Sequence, residues 1–197
     1  MKLKQLAHIN LGYPFRGKIS ETEEADVLAV QMKDVASNSG VNWLGCVKTE
    51  LGGKRKPDWL QLGDILFTAR GSNNYAVQID ETVADYQAVA APHFYVVRIK
   101  NDTLLPEYLT WLLNQEPCQR YFQREAEGSL HKSIRRSVLE NTPIALPTQE
   151  KQRAIIGFAN TLKRENQLLE QLVQNGQKMM QTIANDLLHN PGKTNHD

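Results

Sequence analysis

The sequence predicts an α+β fold: a mixed β-sheet domain with packed helices over residues 1–147, followed by one long C-terminal coiled-coil helix over residues 148–189. Two features of the chain support this class. Short runs of strand-forming residues dominate the first part, and helical segments follow from residue 105 onward. Beyond Pro147, apolar residues recur with a seven-residue period, as in a helix that packs along another helix.

The composition limits the classes of function. A chain of 197 residues has room for one medium domain plus an appendage. With 23 Lys+Arg against 22 Asp+Glu, any contact with nucleic acid must depend on local patches rather than on bulk charge. Cys46 and Cys118 form no C-x-x-C pair, so we expect buried thiols in a reducing compartment. The polar first residues and the absence of a long apolar run predict a cytoplasmic protein with no membrane partner.

Strands are expected in five places before residue 100. These are Lys4–Ile9, the VLAVQM run at Val27–Met32, a short strand at Val41–Val47, the LGDILFT segment at Leu62–Thr68, and the apolar run at Val89–Ile99. Pro92 indicates an edge or a bulge near the start of the last run. We interpret His93, inside that run, as a structural histidine because no carboxylate or cysteine partner is recognisable by spacing.

Two helices are expected next. Leu105–Leu113 begins with Pro106, a residue favoured at the first helical position, and repeats leucine along one face. Pro117 interrupts the pattern. The segment Gln119–Glu127 then continues as a second helix with a polar face.

The loop Ala69–Tyr75, with the sequence ARGSNNY, is the best candidate for reading bases. Arginine pairs bidentately with guanine and asparagine with adenine in the major groove of DNA. The candidate residues are Arg70, Ser72, Asn73, Asn74 and Tyr75. The Ser-Asn-Asn run is also ordinary turn chemistry, so a purely structural interpretation stays open.

An exposed basic loop is predicted between Glu50 and Pro57. Two glycines free the backbone there, and three consecutive cations, which cannot all be buried, follow them: Lys54, Arg55 and Lys56. Two interpretations are equally supported, a contact with nucleic-acid phosphates and a solvated loop with no partner.

A second basic patch is predicted between Glu127 and Glu140, where no acid occurs. Its basic residues are His131, Lys132, Arg135 and Arg136. Together with nearby hydroxyls, these side chains suit phosphate oxygens. The structural alternative is a turn and a short helix capped by Ser129 or Ser133. The segment Thr142–Leu146 is then expected to return as a strand.

The long helix carries an apolar seam. We expect its interface to consist of Ile155, Ala159, Leu162, Asn166, Leu169, Val173, Met180, Ile183 and Leu187. The buried amide of Asn166 fixes register and partner, and Gly176 removes one apolar contact from the seam. The alternative is an ordinary helix that folds back over its own domain. Residues 190–197 are predicted to be a disordered tail.

Motifs of several enzyme classes are missing from the sequence. It has no phosphate loop of the G-x-x-x-x-G-K-[ST] type and no His-rich or Asp-rich cluster with metal spacing. The segment that starts at Asn141 resembles the N-P-P-[YF] motif of amino-methyltransferases only superficially. Pro57-Asp58 is not followed by the Glu-x-Lys of metal-dependent nucleases. The sequence therefore predicts a binding and assembly part that holds no metal and catalyses no reaction of its own.

Several stretches in this order resemble the DNA specificity (S) subunit of type I restriction-modification enzymes. They are LGDILFTARG at Leu62–Gly71, the FYVVRI strand, LPEYLTWLLN at Leu105–Asn114, SLHKSIRRSVLENTPIALP ending at Pro147, and LPTQEKQRAI at the start of the long helix. In such subunits the last junction reads LPP followed by a Glu-Gln pair. Here Thr148 replaces the second proline and Lys151 the glutamate, while Gln152 and Ile155 fit.

The resemblance implies a half-length subunit with a single target recognition domain, at residues 1–147, that reads one half of a bipartite double-stranded DNA site. The helix would act as a spacer and dimerisation element, most simply in a homodimer. Methyltransferase (M) subunits, and a restriction (R) subunit where present, would supply S-adenosylmethionine and ATP chemistry, so no cofactor is expected in this chain. The alternative is a protein-interaction module or antagonist that binds the methyltransferase subunit through its helix without reading DNA.

Overall fold

The computed structural model describes residues 1–37, 39–52, 56–71, 74–127 and 133–189. Strands in this part are β1 Ala7–Leu11, β2 Val27–Val30, β3 Val35–Ala36, β4 Gly40–Val41, β5 Val47–Lys48, β6 Ile65–Thr68, β7 Ala76–Gln78, β8 Gln87–Ala90 and β9 Phe94–Ile99. Helices are α1 Leu3–Leu6, α2 Pro106–Leu113, α3 Glu116–Glu125, α4 Arg136–Asn141 and α5 Gln149–His189. The α+β class with a long C-terminal helix is confirmed. The chain divides into two compact units, Met1–Arg153 and Ala154–Asp197.

An antiparallel sheet in the order β1-β9-β6-β7 forms one layer of the first unit. Its central strand β9 is rich in aromatic and β-branched residues, and its first four residues are buried. The register pairs Tyr95 of β9 with both Leu11 of β1 and Phe67 of β6. The end of β1, the start of β9 and the end of β6 therefore lie at the same edge of the sheet.

A second sheet, in the order β5-β2-β8, makes the domain mixed. Strand β2 runs parallel to β8 and antiparallel to β5. Buried side chains of both sheets share one apolar core, which includes Leu28 and Val30 of β2, Leu66 of β6, and Phe94 and Val96 of β9. The mixed-sheet prediction is therefore correct.

The structure corrects four of the strand predictions. At Val41–Val47 a 3₁₀ turn, Trp43–Gly45, separates β4 from β5, so no single strand forms there. The first predicted strand is the short helix α1 followed by β1. The single run at Val89–Ile99 is two strands: β8 joins β2 in one sheet, whereas β9 joins β1 and β6 in the other, with Pro92 at the change of sheet. At Thr142–Leu146 no strand forms among the described residues, where Pro143 makes an isolated bridge to Lys2.

The helix predictions are mostly correct. Helix α2 starts at Pro106 as expected, and α3 contains Pro117 within its first turn, where a missing N–H costs nothing. Helix α4 starts after Arg135 and has no side-chain cap, so Ser133 does not cap it. Ser129 and the predicted tail at residues 190–197 lie outside the described residues.

Gln152, in the first turns of α5, is completely buried. Its Oε1 accepts a hydrogen bond from the backbone N–H of Leu105 at 2.8 Å. Its Nε2 donates to the carbonyl oxygens of Thr103 at 2.8 Å and Pro147 at 2.9 Å. A fully paired buried amide of this kind stabilises the start of the helix.

The predicted seam residues of α5 are mostly open to solvent in the single chain. Ile155 and Ala159 are half-buried, and Asn166 is exposed. The large apolar members of the seam are between 45% and 68% exposed: Leu162, Leu169, Val173, Met180, Ile183 and Leu187. In the part of the chain that the structure describes, no helix is long and apolar enough to cross a lipid bilayer.

Both cysteines are buried free thiols. Burial raises the pKa of the Cys46 thiol to about 12, and the carboxylate of Asp34 acts in the same direction. Burial also raises the pKa of Cys118.

Candidate nucleic-acid interface

Five segments of the first unit converge at one edge of its sheets. The first segment follows β1, the second follows β2, the third lies between β6 and β7, and the fourth precedes β9. The fifth segment leads into α4 and pairs with the third. We call them the loop end, consisting of residues 12–13, 31–34, 69–71 with 74–75, 91–93 and 133–136. Backbone hydrogen bonds join Gly12 to Phe94, and Ala91 to Val30. The topology therefore brings together loops that are far apart in the sequence.

Arg70 lies at the centre of the loop end. The neighbouring Ala69 N–H donates to the carbonyl of His93 at 2.8 Å, and the Ala69 carbonyl accepts from Ile134 N–H at 2.8 Å. Arg70 itself forms an antiparallel bridge with Ser133. Its side chain is exposed and forms no ion pair with any described residue. Its guanidinium is thus free to bind an external acceptor.

The bridge joins the base-reading candidate loop to the second basic patch. Burial raises the pKa of Tyr95, and a hydrogen bond from the backbone of Arg136 and the positive charges of Arg70 and Arg136 oppose that effect at the Tyr95 hydroxyl. The Tyr95 hydroxyl donates to the carbonyl of Ile134 at 3.1 Å. Two segments that the sequence singled out separately therefore form one surface.

Ion pairs partly compensate the charge of the second patch. Arg135 pairs with Glu127 at 2.5 Å, and Arg136 pairs with Glu140 at 2.8 Å. The sequence interpretation placed these two acids only at the borders of the patch. Because both arginine side chains are at least half exposed, water weakens these pairs, and phosphates could replace the carboxylates.

Asn74 and Tyr75 are used by the protein itself. The Asn74 side-chain amide donates to the carbonyl of Thr68 at 2.7 Å, and the Tyr75 hydroxyl donates to the carbonyl of Val35 at 2.9 Å. Burial raises the pKa of Tyr75. These contacts hold the segment that leads into β7. An adenine contact by Asn74 would use its Oδ1 and its second N–H.

The remaining predicted residues are only partly described. Lys56 is exposed, and its segment is held by Asp58, which accepts from Asn10 at 2.8 Å and Arg98 at 3.0 Å. Lys54, Arg55, Ser72, Asn73, His131 and Lys132 lie outside the described residues.

The structure adds His93 to the candidate surface and corrects its interpretation as a structural histidine. The side chain is exposed, in the turn between β8 and β9. It lines a cavity of about 500 Å³ together with Met32, Arg70, Gly71 and Ser133. A turn signal was present in the sequence, because Pro92 precedes this histidine, but the apolar residues on both sides obscured it.

Arg16 and Lys18 were also missed. Both are exposed in the loop that follows β1. The sequence showed only a glycine-bounded turn there, and its position beside the turn that contains His93 depends on the order of the strands. Among the described residues, no group of three or more His, Cys, Asp or Glu side chains is arranged to hold a metal ion.

Comparison with known proteins identifies the family. A sequence profile of the type I restriction modification DNA specificity domain matches residues 1–175. No curated protein matches the chain. The structure is similar to a type I restriction-modification S subunit from M. genitalium, with 14% identity, a TM-score of 0.55, and coverage of 95% of this chain and 44% of that chain.

Two further structures are similar. One is the HsdS subunit from Thermoanaerobacter tengcongensis, with 17% identity, a TM-score of 0.66, and coverage of 100% of this chain and 50% of that chain. The other is a chain from a structure described for complex assembly and conformational transition of the type I R-M system. It has 15% identity, a TM-score of 0.64, and coverage of 92% and 42%. The chain thus spans half or less of the length of these relatives.

The family resemblance that the sequence motifs indicated is confirmed by these matches. The chain belongs to the type I restriction modification DNA specificity domain family, a family of non-catalytic specificity subunits.

Proposed function

We propose that this chain reads one half of a bipartite DNA target for a type I restriction-modification system, with the loop end as the DNA-contacting surface. The observation that carries the proposal is the exposed, unpaired Arg70 beside Ser133 and Arg136, in a domain of the specificity family. Arg70 enters the major groove and donates bidentately to guanine O6 and N7. Arg135 and Arg136 bind phosphates and orient the domain without reading sequence.

The long helix acts as the spacer between two half-sites. In α5, the exposed apolar side chains at seven-residue spacing support pairing with a second helix. A second copy of this chain is the simplest partner. A two-fold dimer places two identical recognition domains on two identical half-sites, so the target of a homodimer is a split palindrome.

Catalysis belongs to partner subunits in this proposal. Methyltransferase subunits dock on the chain and supply S-adenosylmethionine chemistry, and a restriction subunit with ATP adds cleavage where the system has one. Similarity to a chain from an assembled type I R-M system supports docking of this kind. The chain itself carries no cofactor.

A second candidate function is that of an antagonist that occupies the methyltransferase subunit through α5 without reading DNA. The exposed apolar face of α5 favours it, because that face needs a partner but not DNA. The two functions differ in their effect on DNA methylation. An antagonist lowers methylation by its partner and has no target sequence of its own.

Methylation mapping separates these functions. The chain is co-expressed with its methyltransferase subunit in a host without related systems, and methylated positions are read by sequencing. We expect one bipartite motif that disappears without the chain. Arg70→Ala should relax one base position, at a cost of about 1–3 kcal/mol in discrimination. Arg120→Ala is the matched control, since this exposed arginine pairs with Glu116 on α3. Lower methylation with no new motif would support the antagonist instead.

A further inference from the structure

The loop after β1 carries two cations at the edge of the candidate DNA surface. Arg16 and Lys18 are exposed, flank Gly17, and form no ion pair with any described residue. Glu50 lines the same small cavity of about 160 Å³, yet it does not pair with either cation. Two exposed cations that form no ion pair with the described residues are available to an external anion.

The protein fixes the start of this loop. Gly12 N–H donates to the carbonyl of Phe94 at 3.0 Å, and Tyr13 N–H donates to the carbonyl of Ala90 at 2.7 Å. A Cβ atom on Gly12 would lie 2.1 Å from the carbonyl oxygen of Ala91, so only glycine fits there. The ring of the buried Tyr13 packs edge-on against Phe15 at a centroid distance of 5.0 Å. The cations therefore project from an anchored loop.

Strand order and backbone pairing place the start of this loop, at Gly12 and Tyr13, on the Arg70 side of the domain. In the sheet, β9 lies between β1 and β6, so the turn with His93 lies between the loop after β1 and Arg70. With neighbouring strands about 4.8 Å apart, the two loops leave the sheet roughly 10 Å from each other. Duplex DNA carries one phosphate per ~1.7 Å of its axis, so a duplex that crosses this edge of the sheet presents several phosphates over the span between the two loop starts.

We infer that Arg16 and Lys18 bind backbone phosphates of the same duplex whose groove Arg70 enters. The inference rests on the proposed function and extends its surface across β9 to β1. These two residues contribute affinity and orientation that do not depend on base sequence, whereas Arg70 contributes discrimination. The exposed His93 lies between the two parts of the footprint.

The salt dependence of DNA binding tests the inference. The full chain, the double variant R16A/K18A and a control are titrated with a labelled random-sequence duplex of about 30 base pairs. The control, K4A/K100A, removes the same charge at the opposite end of the same sheet, where Lys100 follows β9. Loss of two phosphate contacts lowers the slope of log K against log salt by about 1.8. Between roughly 50 and 200 mM salt, the affinity of the variant should change about 12-fold less than that of the wild type. The control should keep the wild-type slope.

A charge-preserving variant separates contact from folding. R16K should keep most of the slope, and R16Q/K18Q should match R16A/K18A, with circular dichroism confirming the fold of each. An unchanged slope in R16A/K18A, with a reduced slope in R135A/R136A, would overturn the inference and leave the proposed function intact. Equal slope losses in R16A/K18A and K4A/K100A would reduce the effect to net charge and would also overturn it. Failure of the wild-type chain to bind the duplex at low salt, both alone and assembled with its methyltransferase subunit, would remove both proposals.

Discussion

Replacing Gln152 by methionine should destabilise the first unit, although the two side chains have similar length. The Gln152 amide has no exposure to solvent and makes three hydrogen bonds, to Leu105, Thr103 and Pro147. Methionine fills the same space but cannot accept from Leu105 or donate to the two carbonyls. The substitution therefore removes the polar contacts with little change in packing.

The expected cost follows from what stays buried and unpaired. Among the described residues, the N–H of Leu105 has the Gln152 oxygen as its acceptor and loses it, and an orphaned donor that water does not reach costs about 1–3 kcal/mol. Thr103 is exposed and Pro147 is half-buried, so we expect water to replace some of the hydrogen bonding that their carbonyls lose. We expect a total loss of about 2–4 kcal/mol in the free energy of unfolding.

Urea unfolding followed by tryptophan fluorescence measures this loss. Trp43, Trp59 and Trp111 all lie in the unit Met1–Arg153, so the signal reports on that unit. Gln174→Met is the control, because Gln174 is exposed on α5 and its replacement should cost less than about 0.5 kcal/mol. A loss in Gln152→Met no larger than in the control would refute the assigned role of the amide.

Three further outcomes are expected. Arg98→Ala should lower the free energy of unfolding in urea by about 2–3 kcal/mol. The substitution removes the two hydrogen bonds from the guanidinium to the Asp64 carboxylate, at 2.7 and 2.6 Å, and leaves that carboxylate, only 1% exposed, buried without its cation. A loss under about 1 kcal/mol would contradict this. Cys46 should resist iodoacetamide in the native state at pH 8.5. Folding raises the pKa of the Cys46 thiol from 9.0 to about 12, so the stability that the protonated thiol contributes is complete below pH 9 and declines as the pH rises above 9. Unfolding of the wild type and of Cys46→Ala across this pH range measures the decline. Changing Leu169 and Val173 to aspartate should convert a dimer into a monomer in light scattering, and an unchanged mass would exclude this seam as the interface.

Local signals in the sequence predicted the helices well. Proline at a first helical position and leucine repeated along one face located α2 to within one residue. The absence of further proline and the seven-residue period predicted α5. In both cases the information lies within one or two turns of the element itself.

The division of Val89–Ile99 could not be predicted in the same way. Both halves are apolar, and the difference between them is the sheet that each joins, β2 for the first half and β1 with β6 for the second. Pairing partners lie far away in sequence, so a local pattern of hydrophobicity does not contain them. The exposure of His93 follows from this change of sheet.

The candidate surface could be predicted only in part, again because long-range pairing is not contained in a local pattern. Arg70 was identified by the chemistry of its own loop. Its contact with Ser133, and the proximity of the loops that carry Arg16 and Lys18, result from strand order and backbone pairing. The ion pair of Arg135 with Glu127 likewise depends on the backbone pairing of Glu127 with Ser133, whereas Arg136 and Glu140 lie one turn apart on α4.

Selection of bound sequences from a random duplex library tests whether the chain determines the DNA target. The full chain, assembled with its methyltransferase subunit, is the binding species, and enriched duplexes are sequenced. We expect enrichment of two identical half-sites at one fixed separation, with the same base position relaxed in both half-sites by Arg70→Ala. No enriched sequence, or the same enriched sequence without the chain, would contradict a role in target recognition.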